Sequence, residues 1–344
     1  MRKYQFLDRR VPIEDGNIAL VQDLSKCKNC SLCRKACAVD MGVFDYYDLT
    51  TNGDVPICIH CGQCASICPF DSINERSEID EVKAAIADPN KIVVFQTAPA
   101  VRVGLGEEFG MEAGTFVEGK MVSALRKLGG DYVLDTNFGA DMTIMEEASE
   151  LIERVLHGDG TLPQFTSCCP AWVKFAETFY PEFLPNLSTA KSPIAMQAPT
   201  QKTYFAEKMG IDAKQIVAVC VTPCTAKKFE IRREEMNASA EYWNKPDMRD
   251  TDYCITTREL AKWIRAEEIS FDELEDSTFD PLMGEASGGG IIFGNTGGVM
   301  ESAMRAAYEM VTNEDAPNTL IPFQEIRGME GAREADVVIG DKTL

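Results

Sequence analysis

The 344-residue chain carries 34 Lys and Arg against 55 Asp and Glu, a formal charge of −21. That excess excludes the basic grooves that nucleic-acid phosphates require and leaves docking to a basic partner open. At 45% hydrophobic residues the chain can bury cores for two or three domains. No apolar run reaches the roughly 18 residues that cross a bilayer.

The start, Met1 to Asp15, is charged and lacks an apolar stretch, so no leader is expected. Arg9-Arg10 is followed by Val11-Pro12-Ile13-Glu14-Asp15, which is not a twin-arginine signal. Thirteen cysteines are present, eight of them between residues 27 and 68. An odd count in a long chain argues against a disulfide scaffold and for metal binding in a reducing compartment, the cytoplasm.

Residues 1–82 are expected to form the first domain. Cys27, Cys30, Cys33 and Cys37 follow C-x2-C-x2-C-x3-C, and Cys58, Cys61, Cys64 and Cys68 repeat the frame, with Pro69 next. Three thiolates on a tight loop converge on one cubane, and the fourth of each run reaches the other. The frame assigns one [4Fe–4S] cluster to Cys27, Cys30, Cys33 and Cys68, and a second to Cys58, Cys61, Cys64 and Cys37. Paired zinc knuckles are the alternative. His60 reads as an exposed loop histidine, and His157 lies in a glycine turn.

Residues 90–344 are expected to form the second domain. Ile92–Phe95, Tyr132–Leu134 and Ile216–Cys220 read as buried strands, and Thr115–Leu128 and Thr143–Leu156 as helices. Alternation of this kind predicts an α/β domain with a largely parallel sheet. Its sites belong at the carboxyl ends of strands, in the loops after Phe95, Phe165 and Val221. Gly104-Leu105-Gly106 runs into Glu107-Glu108 and is no dinucleotide loop.

Two of those loops hold cysteines: Thr166-Ser167-Cys168-Cys169-Pro170-Ala171-Trp172 and Thr222-Pro223-Cys224-Thr225-Ala226-Lys227-Lys228-Phe229-Glu230. Each alone could be a vicinal disulfide, buried thiols or a low-pKa cysteine. Glu147, Glu150 and Arg154 share a helix face that composition alone reads as charged surface. Cys220 reads as a buried free thiol, and Cys254 belongs to no motif.

Together, and in order, the two loops resemble the T-S-C-C-P-x-W and P-C-x-x-K-x-x-E signatures of the [FeFe] (iron-only) hydrogenases. Gly284–Gly294 with Gly297–Glu301 resembles that family's glycine-rich stretch. The resemblance implies a small α+β bacterial-ferredoxin-like domain before an α/β catalytic domain of two lobes, with largely parallel sheets flanked by helices. It implies an H-cluster: a [4Fe–4S] cubane joined to a diiron unit bearing CO, cyanide and azadithiolate. By motif position Cys169 and Cys224 are cubane ligands and Cys168 is the proton donor. Lys227 binds a cyanide, and Ala98, Pro99, Thr222 and Pro193 pack against the diiron unit. Glu147, Ser188, Glu150 and Arg154 form a proton relay, and Lys228 is left to solvent. The implied reaction is reversible proton reduction to H2, fed by a ferredoxin-like carrier, after loading by maturation proteins.

Three features depart from the pattern. Thr222 stands where Met is usual, and Ile194 where glutamine is common. The third cysteine signature does not occur before Leu344, so these 344 residues alone are expected to lack two cubane ligands and to make no hydrogen. An iron–sulfur assembly factor, a hydrogen sensor and a plain electron carrier remain as competing readings.

Overall fold

The computed structural model describes residues 9–339, 342 and 343. Of the charged start, Met1–Asp8 lies outside the described residues.

The N-terminal part is organised by its cysteines. Strands β1 (Leu20–Gln22) and β2 (Ile73–Glu75) pair antiparallel and bracket two short helices, α1 (Leu32–Lys35) and α2 (Gln63–Ser66). Each helix follows a cysteine loop. Ala19, Leu20, Ile73, Cys33 and Cys64 form a small buried cluster between the halves. Helix α3 (Ile79–Ala87) then leads into the larger part.

There, β3 (Ile92–Thr97), β4 (Tyr132–Asp135), β5 (Ile216–Thr222) and β6 (Tyr253–Thr256) make one parallel sheet in the order β4-β3-β5-β6. Every residue of β5 is buried, as is β3 from Val93 onward. Strands covered on both faces read as continuous apolar runs, which is why the sequence shows them. From β3 the chain crosses to β4 on one side and then returns to β5 on the other. The crevice of such a sheet opens at that reversal, outside the ends of β3 and β5.

Helices α4 (Val101–Gly104), α5 (Glu118–Lys127) and α6 (Thr136–Ile152) follow β3 and β4, with α6 continuing through a π-helical turn, Glu153–His157. Helices α7 (Pro170–Phe179), α8 (Pro193–Thr200) and α9 (Ala206–Met209) precede β5; α10 (Lys227–Glu230) and α11 (Ala238–Trp243) precede β6. Helix α12 (Thr257–Ala266) starts on a capping box in which Thr256 and Glu259 satisfy each other's backbone amides. Its apolar face joins Phe95, Val219 and Ile255 in the main core.

The second lobe packs α13 (Gly288–Phe293) and α14 (Gly298–Thr312) on α6. The two pairs that follow, β7 (Gln324–Glu325) with β8 (Arg333–Glu334) and β9 (Val338–Ile339) with β10 (Lys342–Thr343), are antiparallel. Helix α6 is central, and its Gly139 faces α8 so closely that a Cβ would overlap the Pro193 carbonyl oxygen. Cys220 and Cys254 sit opposite each other on β5 and β6, fully buried with Ile194 and Ile231.

Two elements differ from the sequence reading. Helix α6 begins at Thr136, seven residues before the expected start, because Asp135 caps it by accepting from the Asn137 amide. Helix α5 begins at Glu118 rather than Thr115.

Candidate metal centres and active site

The two cysteine loops have one geometry. Asn29 and Ser31 in the first, and His60 and Gly62 in the second, all have left-handed φ, from 53° to 77°. These turns point backbone amides at thiols: Asn29 N donates to Cys27 Sγ (3.4 Å) and His60 N to Cys58 Sγ (3.3 Å). Amides aimed at sulfur favour thiolate and cluster charge.

A cavity lies between Cys27, Cys30, Cys33 and Cys68, the four assigned to one cluster. Cys37 crosses to the other loop. Burial, then the neighbouring Cys61, pushes its thiol up to about 11; Cys58 is pushed to about 12, chiefly by burial. Cys64 is raised further by burial and by Cys58, Cys61 and Cys37 around it. Four thiols that crowd one another in a dry place, held up as acids, form a donor set that a metal would deprotonate. None of the thirteen cysteines forms a disulfide. Both sets fit a cubane.

The second site forms at the sheet crevice. Ala98 and Pro99 leave the end of β3, and Thr222 ends β5 two residues before Cys224. Cys168 and Cys169 immediately precede α7, whose Pro170 occupies the first helical turn. Cys169 lies within electrostatic reach of Cys224. Pro193 opens α8 behind a Ser192 cap. Lys227 is buried, and its Nζ donates to Cys168 O and to both oxygens of Glu230, each at 2.9 Å. Burial opposes its charge, but Glu230, Cys224 and Cys168 outweigh that and hold its pKa above the ordinary lysine value.

Glu147, Glu150 and Arg154 face inward rather than to solvent as composition alone suggested. Glu147 is 1% exposed. Its carboxylate oxygens lack a hydrogen bond of full geometry. Burial raises its pKa to about 7, offset in part by Ser188 and the Ser167 amide nearby. Ser188 Oγ donates to Glu150 Oε2 (2.8 Å), and Arg154 Nη2 to Glu150 Oε1 (2.6 Å). Arg154 sits on the π-helical turn and also binds four backbone carbonyls. Cys168 is raised to about 11, mainly by burial, with Lys227 lowering it and Glu147 raising it.

The two sites meet. Thr225 Oγ1 donates to the His60 carbonyl (2.5 Å), and a Cβ at Gly62 would lie 2.5 Å from the same Oγ1. Cys61 and Cys169 fall within electrostatic range of each other. Tyr46 packs on Phe175, Phe179 and Tyr180 of the other part.

Two sequence readings are overturned at this junction. His60 is 3% exposed, stacked on Phe229 with ring centroids 4.8 Å apart, and hydrogen-bonded at both ring nitrogens. Lys228 is wholly buried, bonded to Cys254 O and Glu259. Their partners lie 26 to 169 residues away in sequence, beyond any local pattern. Lys174 and Phe229, which complete the junction, carried no signal beyond following the cysteine loops.

Comparison with known proteins agrees with this architecture. Residues 19–69 match a 4Fe-4S dicluster domain, and residues 91–344 match the iron only hydrogenase large subunit, C-terminal domain. Iron hydrogenase 1 of Clostridium pasteurianum is 44% identical over 97% of this chain and 58% of its own length. The NADP-reducing hydrogenase subunit HndD of Solidesulfovibrio fructosivorans is 42% identical over 96% of this chain and, again, 58% of its own. Cytosolic iron-sulfur assembly component 3 of Bos taurus is 30% identical, with 73% and 54% covered. An apo [FeFe]-hydrogenase HydA1 variant from Chlamydomonas reinhardtii superposes with a TM-score of 0.67 at 41% identity, covering 76% of this chain and 65% of that one. No helix among the described residues is long and apolar enough to cross a membrane. The chain spans 58% of the length of the first two relatives, and with a dicluster iron–sulfur module ahead of a matched hydrogenase domain it belongs to the iron-only hydrogenase family.

Proposed function

We propose that these 344 residues supply the electron module and most of the catalytic site for interconverting protons and H2 at an H-cluster that would sit in the crevice beyond β3 and β5. Electrons enter from a ferredoxin-like carrier through two [4Fe–4S] clusters, one on Cys27, Cys30, Cys33 and Cys68, the other on Cys37, Cys58, Cys61 and Cys64. Residues 1–82 then act as the electron module and 90–344 as the catalytic domain, in the cytoplasm, loaded by maturation proteins. A bound H-cluster would supply the iron chemistry for combining two protons with two electrons.

The chain's own residues do the rest. Cys169 and Cys224 would hold the cubane. Cys220 and Cys254 face each other inside the sheet, so neither is a candidate for the remaining positions. Lys227 presents its ammonium to an anionic ligand; one N–H can serve both Glu230 oxygens as a fork, one serves Cys168 O, and one is left. Ala98, Pro99, Thr222 and Pro193 form the wall, with a hydroxyl at Thr222 in place of a thioether.

Cys168 delivers the proton. Its thiol stays protonated at neutral pH, since burial raises it to about 11. Once it has given its proton up, Glu147 at about 7 is the stronger acid and returns one to the sulfur. Ser188, Glu150 and Arg154 continue the path outward through the bonds described above. This buried row of acid, hydroxyl, acid and guanidinium leading from Cys168 is the observation that carries the proposal. An iron–sulfur assembly protein has no need of it.

Two variants test the reading, in a chain carrying all four cubane ligands and expressed with maturation proteins. Cys168→Ser should keep the infrared CO and CN bands while hydrogen turnover drops by a factor on the order of 10² to 10⁴. Cys169→Ser should lose the bands. Equal loss in both would show the pair misassigned, and absence of bands in the parent would favour the assembly reading.

A further inference from the structure

The two cysteine loops share only their cysteine frame, and the difference that matters is at the second residue after the first cysteine. Asn29, in the first, is exposed, and its Oδ1 accepts from the Arg9 amide. Its counterpart in the second is His60, which is buried and reaches into the hydrogenase domain. A His60 ring nitrogen, a Glu14 carboxylate oxygen and Cys58 Sγ lie within 4.8 Å of one another. On the far side, Lys174 of α7 donates its Nζ to His60 Nε2 at 2.7 Å. An ammonium has no lone pair to accept with, so Nε2 is the acceptor and Nδ1 carries the proton. Nδ1–H then donates to Asn17 Oδ1 at 3.3 Å. The imidazole is neutral, and the charge at this contact is the lysine's.

Lys174 is held from three sides. Its Nζ lies 4.6 Å from the centroid of the Phe229 ring on which His60 stacks. Arg233 forms a two-bonded pair with Glu177, one turn along α7 (3.0 and 2.6 Å), so the nearest carboxylate on that helix is already paired. Glu14 opposes Lys174 from the cluster side. The contact that brings this half-buried cation to the second cluster loop is made by the hydrogenase domain: Lys174 lies five residues after Cys169, and Phe229 five after Cys224.

We propose that Lys174, held by neutral His60, is a positioning residue for electron transfer that raises the reduction potential of the group bound by Cys37, Cys58, Cys61 and Cys64. Reduction adds one electron there, and no bond forms or breaks. The cluster with its four thiolates becomes one unit more negative, and a fixed cation in a water-poor junction favours that state. The first cluster has exposed Lys28 beside its cavity, where water and salt screen the charge. Docking of the two domains thereby sets the potential of the cluster next to Cys169, and the module alone would hold electrons there less well.

The inference rests on the two-cluster reading above, and one experiment separates the two. The full chain is reconstituted anaerobically with iron and sulfide and titrated with reductant while reduced clusters are followed by electron paramagnetic resonance. If the parent does not bind about eight irons, the two-cluster reading fails. If it does, Lys174→Met and Lys174→Gln should each make one cluster at least tenfold harder to reduce at fixed potential, a shift of 59 mV for one electron. The other cluster should be unmoved, and Lys174→Arg should titrate like the parent. Unchanged midpoints in both neutral variants overturn the proposal. So does loss of iron from both, since Lys174 would then hold the junction together without setting a potential.

Discussion

The role proposed for the buried Glu147 carboxyl and its effect on stability have opposite signs. Its folded pKa of about 7 stands above the 4.5 of an exposed glutamate. Between those values the folded chain keeps a proton that the unfolded chain has lost. Stability is therefore greatest below about pH 4.5, as far as this group decides it, and falls as pH rises through 7. The full penalty is on the order of 3 kcal/mol at alkaline pH. Glu147→Gln removes the penalty and keeps the shape. Its gain over the parent in urea midpoint should be small at pH 5, grow up to about pH 7 and level off above it. A gain independent of pH would show that the carboxyl is not the titrating group. The same substitution should cut hydrogen turnover, because an amide cannot pass a proton to Cys168. The residue most useful to the relay is thus one that the fold pays for.

At the scale of elements, α6 with its π-helical turn carries three residues of the proposed relay, and its position is set by contact with α8. Gly139 is at that contact, and any side chain there meets backbone of Pro193 and lies 3.0 Å from Gln197 Cβ. Because the obstacle is mostly backbone, relief requires the helices to move apart. Gly139→Ala should destabilise the domain by about 1–3 kcal/mol in spite of alanine's better helix propensity, read as a lower unfolding midpoint. An unchanged midpoint would show that the helices yield freely. The same element marks how far the sequence could be read. Strands β3 and β5 were legible because both their faces are buried and their apolar runs are unbroken. The first turn of α6 was not, since Asn137 and Gly139 are poor helix formers and the Asp135 cap was not recognised. The cysteine loops were legible as a 4Fe-4S dicluster domain because a repeated cysteine spacing of that kind is a strong local signal. His60 and Lys228 were misread because an isolated histidine or lysine carries no mark of a partner far away in sequence.

For the molecule as a whole, the sheet is closed on both faces while the thiols proposed to bind metal lie outside it, in loops and short helices. The pair formed by Cys220 and Cys254 belongs to the closed part: both are 0% exposed, and burial, then Cys220 beside it, raises Cys254 well above the ordinary thiol value. These two thiols can meet an alkylating reagent only when β5 and β6 separate. The metal-free chain therefore carries its own clock for opening. Eleven cysteines should be labelled first, with Cys33 and Cys64 lagging the exposed thiols because they are buried in the small N-terminal cluster, and two should follow last at a rate scaled down by the opening equilibrium. For an opening free energy of about 5 kcal/mol that is a lag of several thousandfold, seen by mass spectrometry as a long plateau at eleven adducts. Thirteen adducts appearing together would mean that the sheet is not formed before metal arrives. A plateau would mean that the scaffold stands ready-made, and that loading the metals is the filling of a mould rather than the folding of a chain.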